Sequence, residues 1–160
     1  MFTSDIVATN QGRKIALYFT GRQHAGENLA DVLKQRVTEL RPPIQMSDAL
    51  SRNMPKLPSG VEIMVAKCLA HGRPQFVEIV QNFPVECRYV LEMLGRVYCH
   101  EAEARERGLT AMERLQFHQQ HSGPVMEQLH HSLETQLMQK KTEPNSGLRQ
   151  AITYLLRHWR

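Results

Sequence analysis

The sequence predicts an α/β segment followed by an all-α region. Three observations carry this. Short apolar, partly β-branched runs fill the first third, a proline-rich loop follows at residues 51–60, and three-and-four apolar spacing dominates everything after it. The runs are Ile6-Val7-Ala8 and Ile15-Ala16-Leu17-Tyr18-Phe19-Thr20, separated by the polar stretch Asn10-Gln11-Gly12-Arg13. In such a turn, glycine supplies a positive φ, so a β-hairpin is expected. Because Ile15–Phe19 is apolar without alternation, that strand is expected to be covered on both faces.

A helix follows, with Leu29, Val32, Leu33, Arg36 and Val37 along one face. It is expected to stop at Pro42-Pro43, since proline removes a backbone donor and disfavours helix before it. Ile44-Gln45-Met46-Ser47 is a brief strand candidate with Asp48 at its tip. The prolines and glycine of residues 51–60 mark a loop. Beyond it, Val61 to about His71 is predicted helical, with Met64, Val65, Cys68 and Leu69 on one side, and Gly72-Arg73-Pro74 should kink or break it.

Pro84 can open the next helix at its first turn. Its apolar stripe is Val90, Met93, Leu94 and Val97, and Gly108 ends it. Thr110-Ala111-Met112-Glu113 has the capping-box spacing. The helix it starts is expected to be interrupted at Ser122-Gly123-Pro124 and to resume with Val125, Leu129, Leu133 and Leu137 inward. After a polar turn at residues 140–147, a last helix carries Ile152, Leu155 and Leu156 inward. The expected division is an α/β part at residues 1–53 and a helical part at residues 54–160. Both chain ends are expected to cut through structure.

The bulk properties exclude several classes. At 160 residues the chain can bury one core unaided. No apolar run approaches the ~20 residues of a membrane span, and residues 1–5 lack the features of a signal peptide. A cytoplasmic protein with no membrane partner is the default. Three cysteines, Cys68, Cys87 and Cys99, do not make a disulfide framework. Twenty basic residues against sixteen acidic give a net charge of +4, compatible with nucleic acid without demonstrating it. The charge is spread out: ten basic and seven acidic residues lie in positions 1–80, ten and nine in 81–160.

Several longer words are more specific. Tyr18-Phe19-Thr20-Gly21-Arg22-Gln23-His24-Ala25-Gly26-Glu27-Asn28-Leu29, Met46-Ser47-Asp48-Ala49-Leu50-Ser51-Arg52-Asn53 and Cys68-Leu69-Ala70-His71-Gly72-Arg73 occur in order. They are followed by His121-Ser122-Gly123-Pro124, Glu143-Pro144-Asn145-Ser146-Gly147-Leu148 and Ala151–Trp159. Together they resemble the central domain of insertion-sequence 66 family transposases, across essentially the whole chain.

The resemblance implies a partial RNase H-like core (hairpin, helix, strand) with a helical insertion region. It implies DNA, namely transposon ends, as substrate, and Mg2+ held by an Asp-Asp-Glu triad in the intact enzyme. Two hard cations suit phosphodiester cleavage and strand transfer, because they activate an oxygen nucleophile and stabilise the leaving oxygen. Asp48 matches the family's second Asp and is thus the candidate catalytic and metal-binding residue. The first Asp lies upstream of the hairpin in the family, so Asp5 is not its equivalent, and the Glu lies beyond the helix ending near Trp159. No counterpart of the family's zinc-binding and DNA-binding N-terminal regions is expected within these residues. A lone carboxylate holds magnesium weakly, so the fragment is expected to be inactive alone and to bind no cofactor stably.

Departures from the pattern are Ser47, where many relatives carry Cys, and Pro74, where a basic residue is usual. Inside a straight helix Pro74 would cost about 3 kcal/mol, which would suit a decaying copy. Arg22, His24, Arg52, Arg73 and Arg157 are candidates for DNA phosphates in the parent enzyme, though a solvated surface or local ion pairs explain each equally well. For Asp48 the bland alternative is a loop or N-cap Asp. Cys68-x-x-His71 could be half a zinc site, but no second pair stands at zinc-finger spacing, and a buried Cys with a surface His is the better reading. His118, His121, His130 and His131 read as polar-face residues. A second functional class stays open: a non-catalytic module that associates with intact transposase subunits or binds DNA.

Overall fold

The architecture follows from which backbone groups each segment can pair. The computed structural model describes residues 1–160 except Gln11, Thr38, Ala49 and Arg160. These fall into two compact units, Met1–Cys68 and Leu69–Trp159.

In the first unit, β1 (Phe2–Asn10) pairs antiparallel with β2 (Arg13–Gly21), with Ile6 opposite Leu17 and Ser4 opposite Phe19. The hairpin is where the sequence puts it, and Gly12 adopts φ 78°. Gln11 of the expected turn lies outside the described residues. The expectation of a strand covered on both faces is wrong: Ile15 is 63% and Tyr18 76% exposed. Among the described residues only β1 pairs with β2, and helix α1 (Ala25–Lys34) packs on the hairpin at its Ser4 end, where Asn28 Nδ2 donates to Ser4 Oγ at 2.8 Å.

Helix α1 also ends earlier than the prolines require. Gln35 is its C-cap, and the Arg36 guanidinium donates to the carbonyls of Leu40 and Arg41 at 3.1 and 2.6 Å. Val37, expected on the apolar face of that helix, is left exposed.

Strand β3 (Ile44–Ser47) forms as expected. Its partner does not: residues 64–67, predicted helical, are strand β4 (Met64–Lys67), parallel to β3 with Ile44 opposite Met64. The β-branched Val61, Ile63 and Val65 follow Gly60 (φ 89°), and pairing with β3 overrides a helical period that was only coincidental. Residues 48–63, including a 3-10 turn at Ser51–Asn53, make the crossover that a parallel pair needs.

The helical unit starts with a 3-10 turn at Leu69–His71 and α2 (Arg73–Glu78). Pro74 sits in the first turn of α2, where its missing N–H costs nothing, so it does not strain a helix as the sequence suggested. Helix α3 (Pro84–Glu106) starts at Pro84, and Gly108 follows it at φ 61°. Helix α4 (Ala111–Met138) starts at the predicted capping box, with Glu113 N–H donating to Thr110 Oγ1 and Thr110 N–H to Glu113 Oε2.

The expected interruption at residues 122–124 is absent: α4 runs straight through Pro124. Ser122 and Val125 are buried on either side, so packing holds a turn that proline alone would break. Helix α5 (Gly147–Arg157) is capped by Ser146, whose Oγ accepts from Arg149 N–H.

Apolar stripes of α3, α4 and α5 close on one core of Cys87, Val90, Leu94, Leu129, Leu133 and Ile152, with Phe76 from α2. Beyond that core the α3–α4 pair is joined by polar groups. Glu101 accepts from Arg105 at 2.6 Å, from Arg114 at 2.9 Å and from His118 Nε2 at 3.0 Å. His118 Nδ1 and His100 Nδ1 both meet Ser122 Oγ, at 2.8 and 3.1 Å. Burial raises the Glu101 carboxyl, but the bonds from His118, Arg105 and Arg114 outweigh it and hold the group below its ordinary value of 4.5.

Two outcomes test this architecture. A Cβ on Gly26 would stand 2.5 Å from the Met54 carbonyl oxygen and 2.8 Å from that of Arg52. Gly26→Ala should therefore destabilise the first unit by about 1–3 kcal/mol, read as a lowered urea midpoint. A carboxyl held below its ordinary value contributes stability that is present above that value and is lost as pH falls through the folded one. Stability of the helical unit should then decline below pH 4.5. Glu101→Gln should remove about 1 kcal/mol at neutral pH and flatten that decline, by chemical denaturation at several pH values.

Candidate functional site

The candidate site is the corner where β3 ends. Strand β3 delivers Asp48, and the 3-10 turn that follows returns Asn53 to it. Asn53 Nδ2 donates to Asp48 Oδ1 in a short bond, and Leu50 N–H reaches the same oxygen at 3.4 Å. Gln45, on β3, donates from Nε2 to the Asn53 carbonyl at 3.0 Å. Its Oε1 is buried without a hydrogen-bond partner among the described residues.

Close approach brings α1 to this corner. Gly26 in its first turn lies against the carbonyls of Arg52 and Met54, a distance only a residue without Cβ permits. The N-terminal end of α1 thus meets the backbone that carries Arg52 and Asn53. His24 is the N-cap: its backbone N–H donates to Glu27 Oε2 at 2.7 Å, and its ring packs on Phe2 with centroids 4.3 Å apart.

The candidate phosphate contacts therefore divide. Arg52 is exposed on the 3-10 turn next to Asp48, while His24 caps the helix packed on that turn, and Arg22 is exposed two residues before the cap. Arg73 and Arg157 are exposed in the helical unit, on α2 and α5. Sequence reasoning named Asp48 and Arg52 but missed Asn53 and Gln45. Those two are ordinary polar residues whose pairing depends on how the 3-10 turn folds back.

The donor set bears on a metal ion. Asp48 has one oxygen occupied by two donors and is only half-buried, which suits one coordination position of a hard cation. Among the described residues no group of three His, Cys, Asp or Glu side chains could hold a metal. Cys68 is half-buried, Cys99 exposed, and Cys87 buried in the helical core, where burial and the nearby Glu86 push its thiol up. Three of the four expected polar-face histidines have specific partners. His118 bonds Glu101 and Ser122, His121 packs on Phe117 at 4.4 Å, and His130 packs on Trp159 at 4.9 Å. Among the described residues no helix is long and apolar enough to cross a membrane.

Comparison with known proteins gives a family. A relative from Sinorhizobium fredii (strain NBRC 101917 / NGR234), named "Uncharacterized protein y4jD", is 36% identical over 100 residues. That match covers 61% of this chain and 18% of the relative, so the chain spans less than a fifth of that protein's length. No solved structure matches. A family model described as "Transposase IS66 family" matches residues 6–160, nearly the whole length. The chain belongs to the IS66 family of transposases.

Proposed function

We propose that the chain is the central part of the catalytic domain of a DDE transposase, acting on DNA at transposon ends, with Asp48 as one carboxylate of the triad. The observation that carries this reading is the family match through residues 6–160, together with an Asp at the tip of a strand in a parallel pair. On this reading the hairpin, α1 and β3 belong to an RNase H-like core, and the helices after β4 to an insertion region. Bound Mg2+ would supply an activated oxygen nucleophile and charge neutralisation at the leaving oxygen. Asp48 supplies one ligand and the described residues do not complete a site, so no cleavage step is assigned to this chain by itself.

On this reading DNA contact falls to the exposed arginines. Arg52 is exposed on the turn next to Asp48, and Arg22 is exposed two residues before the cap of the helix packed on that turn. Arg73, on the helical unit, would add a further backbone contact. Such contacts position the duplex without reading its sequence.

A second reading rests on one observation: the hairpin leaves Val7, Ile15, Leu17 and Tyr18 exposed. Apolar strands of this kind suit association with other transposase subunits, without catalysis by this chain. Copurification of the tagged chain with intact transposase, lost on Ile15→Lys and Tyr18→Lys, would favour it.

The catalytic reading is tested in the transposase polypeptide that carries this segment. Asp48→Asn should abolish Mg2+-dependent cleavage and strand transfer while leaving DNA affinity in place, and cleavage at the native level would overturn the assignment. The 160-residue chain should show no cleavage above that of its own Asp48→Asn variant. For DNA contact, Arg22→Ala and Arg52→Ala should each lower the slope of log affinity against log salt by about 0.9, measured by fluorescence anisotropy. An unchanged slope would remove these residues from the interface.

A further inference from the structure

Asp48 is bonded unevenly. Both donors that reach it, the Asn53 amide and the Leu50 N–H, converge on Oδ1, and among the described residues none is bonded to Oδ2. The Leu50 bond alone would suffice for an Asx turn. The Asn53 amide is a second donor on the same oxygen, from a residue that nothing in the turn geometry obliges to face Asp48.

Its orientation is fixed by chemistry, because a carboxylate oxygen can face only the NH2 end of an amide. The backbone beneath it is fixed as well: Gln45 reaches from the middle of β3 to the Asn53 carbonyl, and the first turn of α1 lies on the Arg52 and Met54 carbonyls. Strand, turn and helix thus all act on the position of one side-chain amide.

We propose that Asn53 is a positioning residue of this site: it occupies Oδ1, locks the Asp48 carboxylate in one rotamer, and leaves Oδ2 as the single oxygen offered to a divalent cation. This rests on the reading of Asp48 as a metal-binding carboxylate. An outer-shell donor of this kind acts through the ligand it holds, so its loss weakens metal binding more than the chemical step.

The test has two arms. In the transposase polypeptide carrying this segment, Asn53→Ala should raise the Mn2+ concentration for half-maximal DNA cleavage about 10–100-fold, with the rate recovered at saturating Mn2+. Asn53→His, whose Nδ1–H reaches the place of the amide, should restore the native metal requirement. In the 160-residue chain, three-bond Hα–Hβ couplings of Asp48 should report one χ1 rotamer, averaging in Asn53→Ala. Amide protection across β3 and β4 checks that the fold is kept, and the near-isosteric Asn53→Leu replaces the alanine variant if it is not.

An Asp48 rotamer that stays fixed without the Asn53 amide overturns the positioning role, whatever Asp48 binds. A native metal requirement in Asn53→Ala, in an enzyme that Asp48→Asn inactivates, overturns it while leaving the catalytic reading intact. Cleavage that survives Asp48→Asn instead overturns the reading of Asp48, and with it the metal-directed part of the inference.

Discussion

The contact between the first turn of α1 and the carbonyls of Arg52 and Met54 is the constraint on which the α/β unit depends. With no Cβ at Gly26, the helix end lies directly on the backbone of the turn after β3. The approach is sterically possible only because that first turn carries no side chain at Gly26. Asn28, one turn-face away, ties the same helix to β1 through Ser4. One short helix therefore fixes both the hairpin and the turn that carries Arg52 and Asn53, and the placement of Asp48 inherits that geometry.

The two units are held together by different means. Buried apolar side chains of the first unit are, among the described residues, Ala30 and Leu33, whereas the second buries a continuous core from Phe76 to Leu155. At ~25 cal/mol per Å² of apolar surface, most hydrophobic stabilisation must lie in the helices. Even there the outer part of the α3–α4 pair relies on Glu101, His118, Ser122 and His100 bonded in series. A tandem of directional bonds specifies register more sharply than it adds stability, because each bond replaces one to water.

What the sequence disclosed divides along the same line. Proline, glycine and capping residues act locally, so the hairpin turn, the start of α3 at Pro84, the end near Gly108 and the Thr110–Glu113 box were all readable. Strand β4 was not, since Met64, Val65, Cys68 and Leu69 also fit a helical face, and only the free edge of β3 decides between the two. The persistence of α4 through Pro124 was hidden for the same reason: Ser122 and Val125 are buried by tertiary packing, with Ser122 Oγ meeting His100 of α3. At the site, Asp48 could be named from its motif, but its bonds to Asn53 and the support from Gln45 depend on the fold of a 3-10 turn.

A site on a thinly buried unit needs another source of rigidity. With two two-stranded sheets and few buried apolar groups, the α/β unit cannot rely on core packing to hold a carboxylate to within a fraction of an ångström. Its means are short-range: a glycine that lets backbone touch backbone, and the bonds linking Gln45, Asn53 and Asp48. These act over one strand and one turn, so they survive changes elsewhere in the sheets. They also place the sensitivity of the Asp48 geometry in Gly26, Gln45 and Asn53. On the proposed reading of Asp48, loss of function by substitution should thus extend well beyond the charged residues that attract attention in the sequence.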